Sequence, residues 1–318
     1  MTSPEERNPI MPLNLDWINR VHVNRSAVER RTASLGGRRS IKKQWQAAWL
    51  LKAVTLIDLT TLAGDDTPGR VQRLCAKARF PIRQDILTAL EITEPVYVGA
   101  VCVYHSRVKD ALEALKGTPI PVAAVSAGFP AGQSSFPQRV AEIGASVADG
   151  AKEIDIVISR EHVLRHDWQA LYDKVKLFRA TCGDAHLKTI LATGELGTLN
   201  NVYKASLVCM MAGADFIKTS TGKETVNATL EVSLVMLRAI REYGQLTGHK
   251  VGFKPAGGIR SAKQALQWLA LLKEELGDEW LQPRLFRIGA SGLLDDIVRQ
   301  LSHAVTGRYA AQQHIPMG

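Results

Sequence analysis

Long apolar runs are missing from this chain. The longest, around Leu230 to Ile240, is broken by Glu231 and Arg238, whereas a membrane-crossing helix needs roughly 20 mostly apolar residues. No membrane partner is expected. The opening MTSPEERNPI carries two glutamates and no apolar h-region, which argues against a secretory signal. Cysteine is scarce. Cys75, Cys102, Cys182 and Cys209 lie far apart, with no CxxC and no clustered histidines. Both a disulfide framework and a zinc site lack their usual spacing, so the reading is a reducing, cytoplasmic setting with no metal and no cofactor. A GxGxxG after the first strand is also lacking, which removes the best argument for a dinucleotide-binding fold.

Charge is present in excess. The 318 residues carry a formal +9, and much of the surplus sits in Arg25, Arg30, Arg31, Arg38, Arg39, Lys42 and Lys43. No aromatic residues interleave that cluster as in a nucleic-acid motif. It reads as a solvated basic face, with no nucleic-acid partner expected. A basic balance elsewhere suits an anionic metabolite.

Residues 1–15 look like a loose tail, followed by helical material over 16–52. There Trp45, Trp49 and Leu50 fall near helical spacing and suggest a packing face. After that a rhythm begins. Short β-branched runs recur as VTLIDL (54–59), VYVGAVCV (96–103), PVAAVSA (121–127), EIDIVI (153–158), HLKTILA (186–192), ADFIKTS (214–220), VGFKPAG (251–257) and LFRIGAS (285–291). Amphipathic helical stretches lie between them. Alternation of this kind means parallel βαβ units, and eight strands favour closure. The fold class is therefore α/β, a parallel (β/α)8 TIM barrel with extra N-terminal helices. The expected division is a tail and helical extension over 1–52, the barrel over 53–305, and a C-terminal tail over 306–318.

Barrel enzymes work at the C-terminal ends of their strands. Those ends hold Asp58, Cys102, Asp155, Lys218 and Lys254, then Gly257, Gly258, Gly289 and Ser291. A lysine inside an apolar strand commonly snorkels or pairs. Two of them, Lys218 and Lys254, end adjacent strands spaced about 4.8 Å apart. Like charge and burial both lower a lysine pKa and leave neutral, nucleophilic amine. Asp155 alternates with Ile154 and Ile156, so it points into the barrel if they point out. It suits an ion-pair partner, a proton carrier, or both. Asp58, followed by Thr60 and Thr61, fits a turn organiser and a substrate-hydroxyl contact equally well. Cys102 fits simple packing. The last three loops, STGKET, AGGIRS and GASGLL, are rich in small residues and lie near Lys223 and Arg260. They suit a phosphate handle.

Eight segments, LIDLTTL, AVCVY, GFPAG, EIDIVI, LKTILATGELG, GADFIKTSTGK, GFKPAGGIR and RIGAS, resemble the deoxyribose-phosphate aldolase family in content and order. They span residues 45–305, and the likeness is to the longer animal-type members. The resemblance implies a metal-free, reversible retro-aldol cleavage of 2-deoxy-D-ribose 5-phosphate to D-glyceraldehyde 3-phosphate and acetaldehyde. It implies Lys218 as the Schiff-base lysine, Lys254 as the lysine that tunes it, and Asp155 as the carboxylate of a proton relay. Thr221, Gly222, Lys223, Gly257, Gly258, Gly289 and Ser291 would line the phosphate pocket, while Asp58 and Thr60 would face the sugar end, with Cys102 nearby. A homo-oligomer is compatible with it. Gly292 departs from the pattern, since many relatives carry a second hydroxyl there. His105 stands where relatives often have proline, and Tyr309 is not terminal, so no active-site role is carried over to it. The competing readings are a phosphosugar isomerase or epimerase, which needs no paired lysines, and a non-catalytic barrel serving as a scaffold.

Overall fold

A computed structural model of the chain describes residues 7–42 and 44–315. Residues 1–6 of the expected tail, Lys43 of the basic cluster and the terminal 316–318 lie outside the described residues. Among the described residues, eight strands form one sheet: β1 Ile57–Thr60, β2 Ala100–Tyr104, β3 Val122–Ser126, β4 Glu153–Val157, β5 His186–Ile190, β6 Phe216–Lys218, β7 Gly252–Lys254 and β8 Ile288–Ala290. Six strands fall inside one of the eight apolar runs, and β1 and β2 run one residue past theirs, to Thr60 and Tyr104. They neighbour one another in the order β7-β6-β5-β4-β3-β2-β1-β8, and every ladder is parallel. Bridges between Phe253 and Phe286 and between Ala256 and Gly289 join β8 to β7. The sheet is thereby closed into a barrel.

Before the barrel come α1 Leu15–Arg20, α2 Arg25–Ala33, α3 Leu35–Arg38 and α4 Gln44–Thr55. The outer wall comprises α5 Pro68–Arg79, α6 Gln84–Ala89, α7 Val108–Ala114, α8 Phe136–Ala148, α9 Arg160–Leu164, α10 Trp168–Thr181, α11 Leu199–Met211, α12 Leu230–Thr247, α13 Ala262–Leu276 and α14 Leu293–Thr306. Local chemistry starts these helices where the sequence allows it. Thr198, Thr229 and Ser261 accept hydrogen bonds from the first-turn N–H groups of α11, α12 and α13, and Ser261 with Gln264 completes a capping box. The main core lies between strands and helices. Ile154 and Ile156 belong to it, which turns Glu153 and Asp155 to the barrel interior.

Three features of the extension differ from expectation. Residues 7–14 are not loose: Arg7 grips Asp215 with bonds of 3.0 and 2.8 Å, and the Asn8 amide donates to Met210 and Ala214 carbonyls at 2.7 and 2.9 Å. This pins the segment beneath β6. Trp45 is 66% exposed, because the buried face of α4 is Ala47, Leu50, Ala53 and Val54, and Trp45 stands off that stripe. Trp49 is partly buried against the core. The basic face is also less solvated than its composition suggests. Arg31, Arg38 and Arg39 converge on Glu274 of α13 at 2.8, 2.8 and 2.5 Å, docking the extension on the barrel wall. Arg25 remains exposed and, among the described residues, pairs with Glu29 on its own helix.

Candidate active site

Parallel strands bring the two lysines together. Lys218 ends β6, Lys254 ends β7, and they are register partners. On the facing side Asp155 of β4 is fully buried. Its Oδ2 accepts from Lys218 Nζ at 2.7 Å and from Lys254 Nζ at 2.8 Å. Lys254 also meets Asp58 Oδ2 at 2.5 Å. One carboxylate oxygen is thus shared between two amines that differ in how many other anions they touch.

That difference separates their protonation. Burial pushes the Lys218 pKa down; Asp155 opposes this, Lys254 adds to it, and the net direction is below the ordinary lysine value. Burial also opposes the charge on Lys254, but Asp155 and Asp58 together outweigh it and hold its pKa above the ordinary value. Asp155 is destabilised by burial, yet Lys188, Lys218 and Lys254 keep it well below the usual carboxylate range. The result is an anion flanked by a firmly charged lysine and one that holds its proton less tightly than an ordinary lysine.

The structure brings most of the expected loop residues together at one end of the barrel. An ideal Cβ on Gly222 would lie 3.8 Å from Gly257 Cα, so the loops after β6 and β7 touch. Gly257 has φ +84°, and a Cβ there would fall 2.7 Å from the Asn227 side chain; only glycine fits without displacement. Gly289 leaves room for Lys254, since a Cβ would lie 3.2 Å from Lys254 Cε and 2.9 Å from Ala256 Cβ. Gly258, Lys223 and Ser291 are exposed around these loops. Thr221 is engaged differently from expectation. Its N–H and hydroxyl donate to Glu224 at 3.0 and 2.7 Å, so it braces the loop. Ser220 Oγ donates to the Ala256 carbonyl at 2.6 Å, tying the loops after β6 and β7.

Asp58, expected at the sugar end, is instead buried with both oxygens in ion pairs. Arg287 holds Oδ1 at 2.6 Å, while Lys254 and Lys188 hold Oδ2. These cations outweigh burial and keep its carboxyl far below the ordinary value. Both oxygens of this carboxylate are thus engaged by cations of the barrel interior. Thr60 is half-buried and donates to the Asp58 carbonyl at 2.7 Å. Cys102 is fully buried in a small apolar cluster with Ala123 and Val125, against Leu62, Tyr104 and Phe129. Tyr309 stacks on His303 of α14, with ring centroids 4.4 Å apart.

Beside the site, sequence reasoning missed three buried charges of the barrel interior: Glu153, Lys188 and Arg287. The signal was available for two. Glu153 stands two residues before Asp155 on the same inward face, and Lys188 is the register partner of Asp155.

Comparison with known proteins agrees with this geometry. Residues 52–296 match the model of a family described as DeoC/LacD family aldolase. Human deoxyribose-phosphate aldolase is 64% identical over 308 residues, covering 96% of this chain and 97% of the human protein. The mouse protein of the same name is 65% identical over the same coverage. Among solved structures, a putative deoxyribose-phosphate aldolase from Toxoplasma gondii ME49 superposes with a TM-score of 0.68 at 20% identity, over 87% of this chain and all of that one. A tetrameric deoxyribose phosphate aldolase from Aeropyrum pernix gives 0.59 at 21% identity, over 86% and 97%. At such identities the structural likeness speaks for the fold.

Proposed function

Since the chain belongs to the DeoC/LacD family of aldolases, we propose that its lysine pair performs a Schiff-base retro-aldol cleavage of 2-deoxy-D-ribose 5-phosphate. The chain is a carbon–carbon lyase, and Lys218 is its nucleophile. The observation that carries this is the shared Asp155 oxygen: Lys254 has a second carboxylate and keeps its proton, while Lys218 has none among the described residues and can present a neutral amine.

Neutral Lys218 Nζ attacks C1 of the open-chain sugar. Loss of water gives an iminium, which accepts the electron pair when the C2–C3 bond breaks. Glyceraldehyde 3-phosphate leaves as the C3 hydroxyl gives up its proton. The remaining enamine is protonated at C2 and hydrolysed to acetaldehyde, regenerating the amine. Asp155 and Lys254 carry protons between these steps, directly or through water. Gly222, Lys223, Gly257, Gly258, Gly289 and Ser291 hold the phosphate, and Thr221 fixes the first of those loops. The anchored phosphate keeps C1 near the amine, converting the attack into an intramolecular event. Thr60 and Cys102 wall the aldehyde side.

No helix among the described residues is long and apolar enough to cross a membrane. We place the activity in the cytoplasm, as a homo-oligomer acting on a phosphosugar. The test of the chemistry is borohydride trapping with deoxyribose 5-phosphate, followed by peptide mass spectrometry. A reduced adduct on the Lys218 peptide, absent in Lys218→Ala, is the expected result. Folded protein at saturating substrate that forms no adduct overturns the reading.

A further inference from the structure

Below the reacting lysines the barrel interior holds a second layer of charge. Glu153 precedes Asp155 by two residues on β4, about 6.6 Å further from the mouth. Arg287 lies just before β8 and crosses the same interior. Arg287 Nη2 meets Glu153 Oε1 at 2.7 Å, and its Nη1 meets Asp58 Oδ1 at 2.6 Å. Lys188 bridges the layers, contacting Glu153, Asp58 at 3.3 Å and Asp155 at 3.4 Å. A Cβ on Gly99 would lie 3.1 Å from Arg287 Cδ, so the backbone is kept bare where the arginine passes.

Among the described residues the interior therefore contains three carboxylates, Asp58, Glu153 and Asp155, against four cationic groups, Lys188, Lys218, Lys254 and Arg287, and all seven are buried. Three anions balance three cations. A fourth charge has no counterpart, and an unmatched buried charge is removed by losing its proton. The contacts decide which one. Among the described residues Lys188 touches three carboxylates, Arg287 and Lys254 two each, and Lys218 only Asp155, through an oxygen already shared. We propose that Glu153 and Arg287 are positioning residues for the aldol chemistry: neither reaches the substrate, but each offsets the other's charge, so the interior keeps one cation more than its carboxylates and Lys218 stays the unmatched amine.

This rests on Lys218 being the Schiff-base lysine. It adds that the balance is set from below as well as by Lys254. Burial opposes the charge on Glu153, but Arg287 and Lys188 hold its carboxyl below the usual range. Burial likewise opposes Arg287, and Glu153 with Asp58 hold it fully protonated. Both members are thus charged at neutral pH, fit to serve as a fixed count there.

The sign of that count makes the test specific. Arg287→Met leaves three carboxylates facing three lysines, so Lys218 is retained as a charged partner. Glu153→Gln leaves two carboxylates facing four cations and drives Lys218 further toward the neutral form. The double variant removes one charge of each sign. The measurement is the rate of borohydride-trapped adduct with deoxyribose 5-phosphate, followed against pH on the full chain. Relative to the unsubstituted protein, the midpoint should rise by about one to two pH units in Arg287→Met and fall in Glu153→Gln. It should return to within about half a unit in the double variant. Arg287→Gln, which keeps hydrogen-bonding capacity, replaces Arg287→Met if that variant does not fold. A pair that merely supports the fold would lower amounts or rates without moving midpoints in opposite directions. Unshifted midpoints in folded single variants, or shifts of the same sign, overturn the inference. Failure of the unsubstituted protein to trap at any pH overturns the Schiff-base reading instead.

Discussion

Replacing Lys254 by leucine tests the electrostatic reasoning most directly. Lys218 and Lys254 contact the same Asp155 oxygen at 2.7 and 2.8 Å, so their nitrogens are no more than 2.7 + 2.8 = 5.5 Å apart. At an effective dielectric constant near 20, two unit charges at that separation repel by about 3 kcal/mol. That corresponds to about 2 pH units. Removing Lys254 deletes this repulsion and leaves Asp155 and Asp58 short of a cation; both changes favour charge on Lys218. Its pKa should rise, and at a pH below the midpoint the neutral fraction should fall about 100-fold. The assay is the pH dependence of adduct trapping, with Lys254→Arg as a control that retains the charge. The leucine variant should show a midpoint moved upward by about two units, and the arginine variant a midpoint near the original. A leucine variant that traps slowly at every pH, with its midpoint unmoved or lower, would refute the account. Lys254 would then act by some means other than its charge.

Gly257→Ala forces a side chain onto a residue with φ +84° and against Asn227; it should cost about 1–2 kcal/mol and raise KM for the phosphorylated sugar. Turnover of unphosphorylated deoxyribose should change little, and an unchanged KM for the phosphate ester would count against the phosphate handle. Leu50→Ala, on the buried stripe of α4, should lose about 2–5 kcal/mol in urea unfolding, while Trp45→Ala should stay within about 0.5 kcal/mol. Equal losses would contradict the assigned helix face. Acid should destabilise the barrel through its interior carboxylates. Asp58, Glu153 and Asp155 are all depressed in the folded state, so their contribution is complete above the ordinary carboxylate values near pH 4. It is lost as pH falls from there through the depressed values. Urea midpoints that hold steady from pH 6 down to 2 would contradict this.

Much of this protein is written locally. Each strand overlaps a short β-branched run, because alternation and helical spacing are properties of neighbouring residues. The adjacency of Lys218 and Lys254 followed from parallel strands in sequence order, and the inward direction of Asp155 from period-two alternation. Trp45 shows the limit of that reading. Its spacing to Trp49 is helical, but which stripe of α4 faces inward depends on where α13 and α14 pack, and the buried residues are Ala47, Leu50, Ala53 and Val54. Asp58 shows the same limit: sequence placed it at a strand end, but could not reveal that its oxygens are occupied.

By itself, then, the sequence determined the parallel α/β architecture, the rank order of strands and the residue types at the mouth, since these depend on patterns a few residues long. Only the tertiary structure decided the ion-pair count below the mouth. Arg287 meets Glu153 across 134 positions and Asp58 across 229, and Arg7 reaches Asp215 across 208. Closing the barrel removes water from those groups at once, and each charge must then be matched by whatever the other strands present. Which lysine keeps its proton is a property of that closed interior rather than of any segment of the chain.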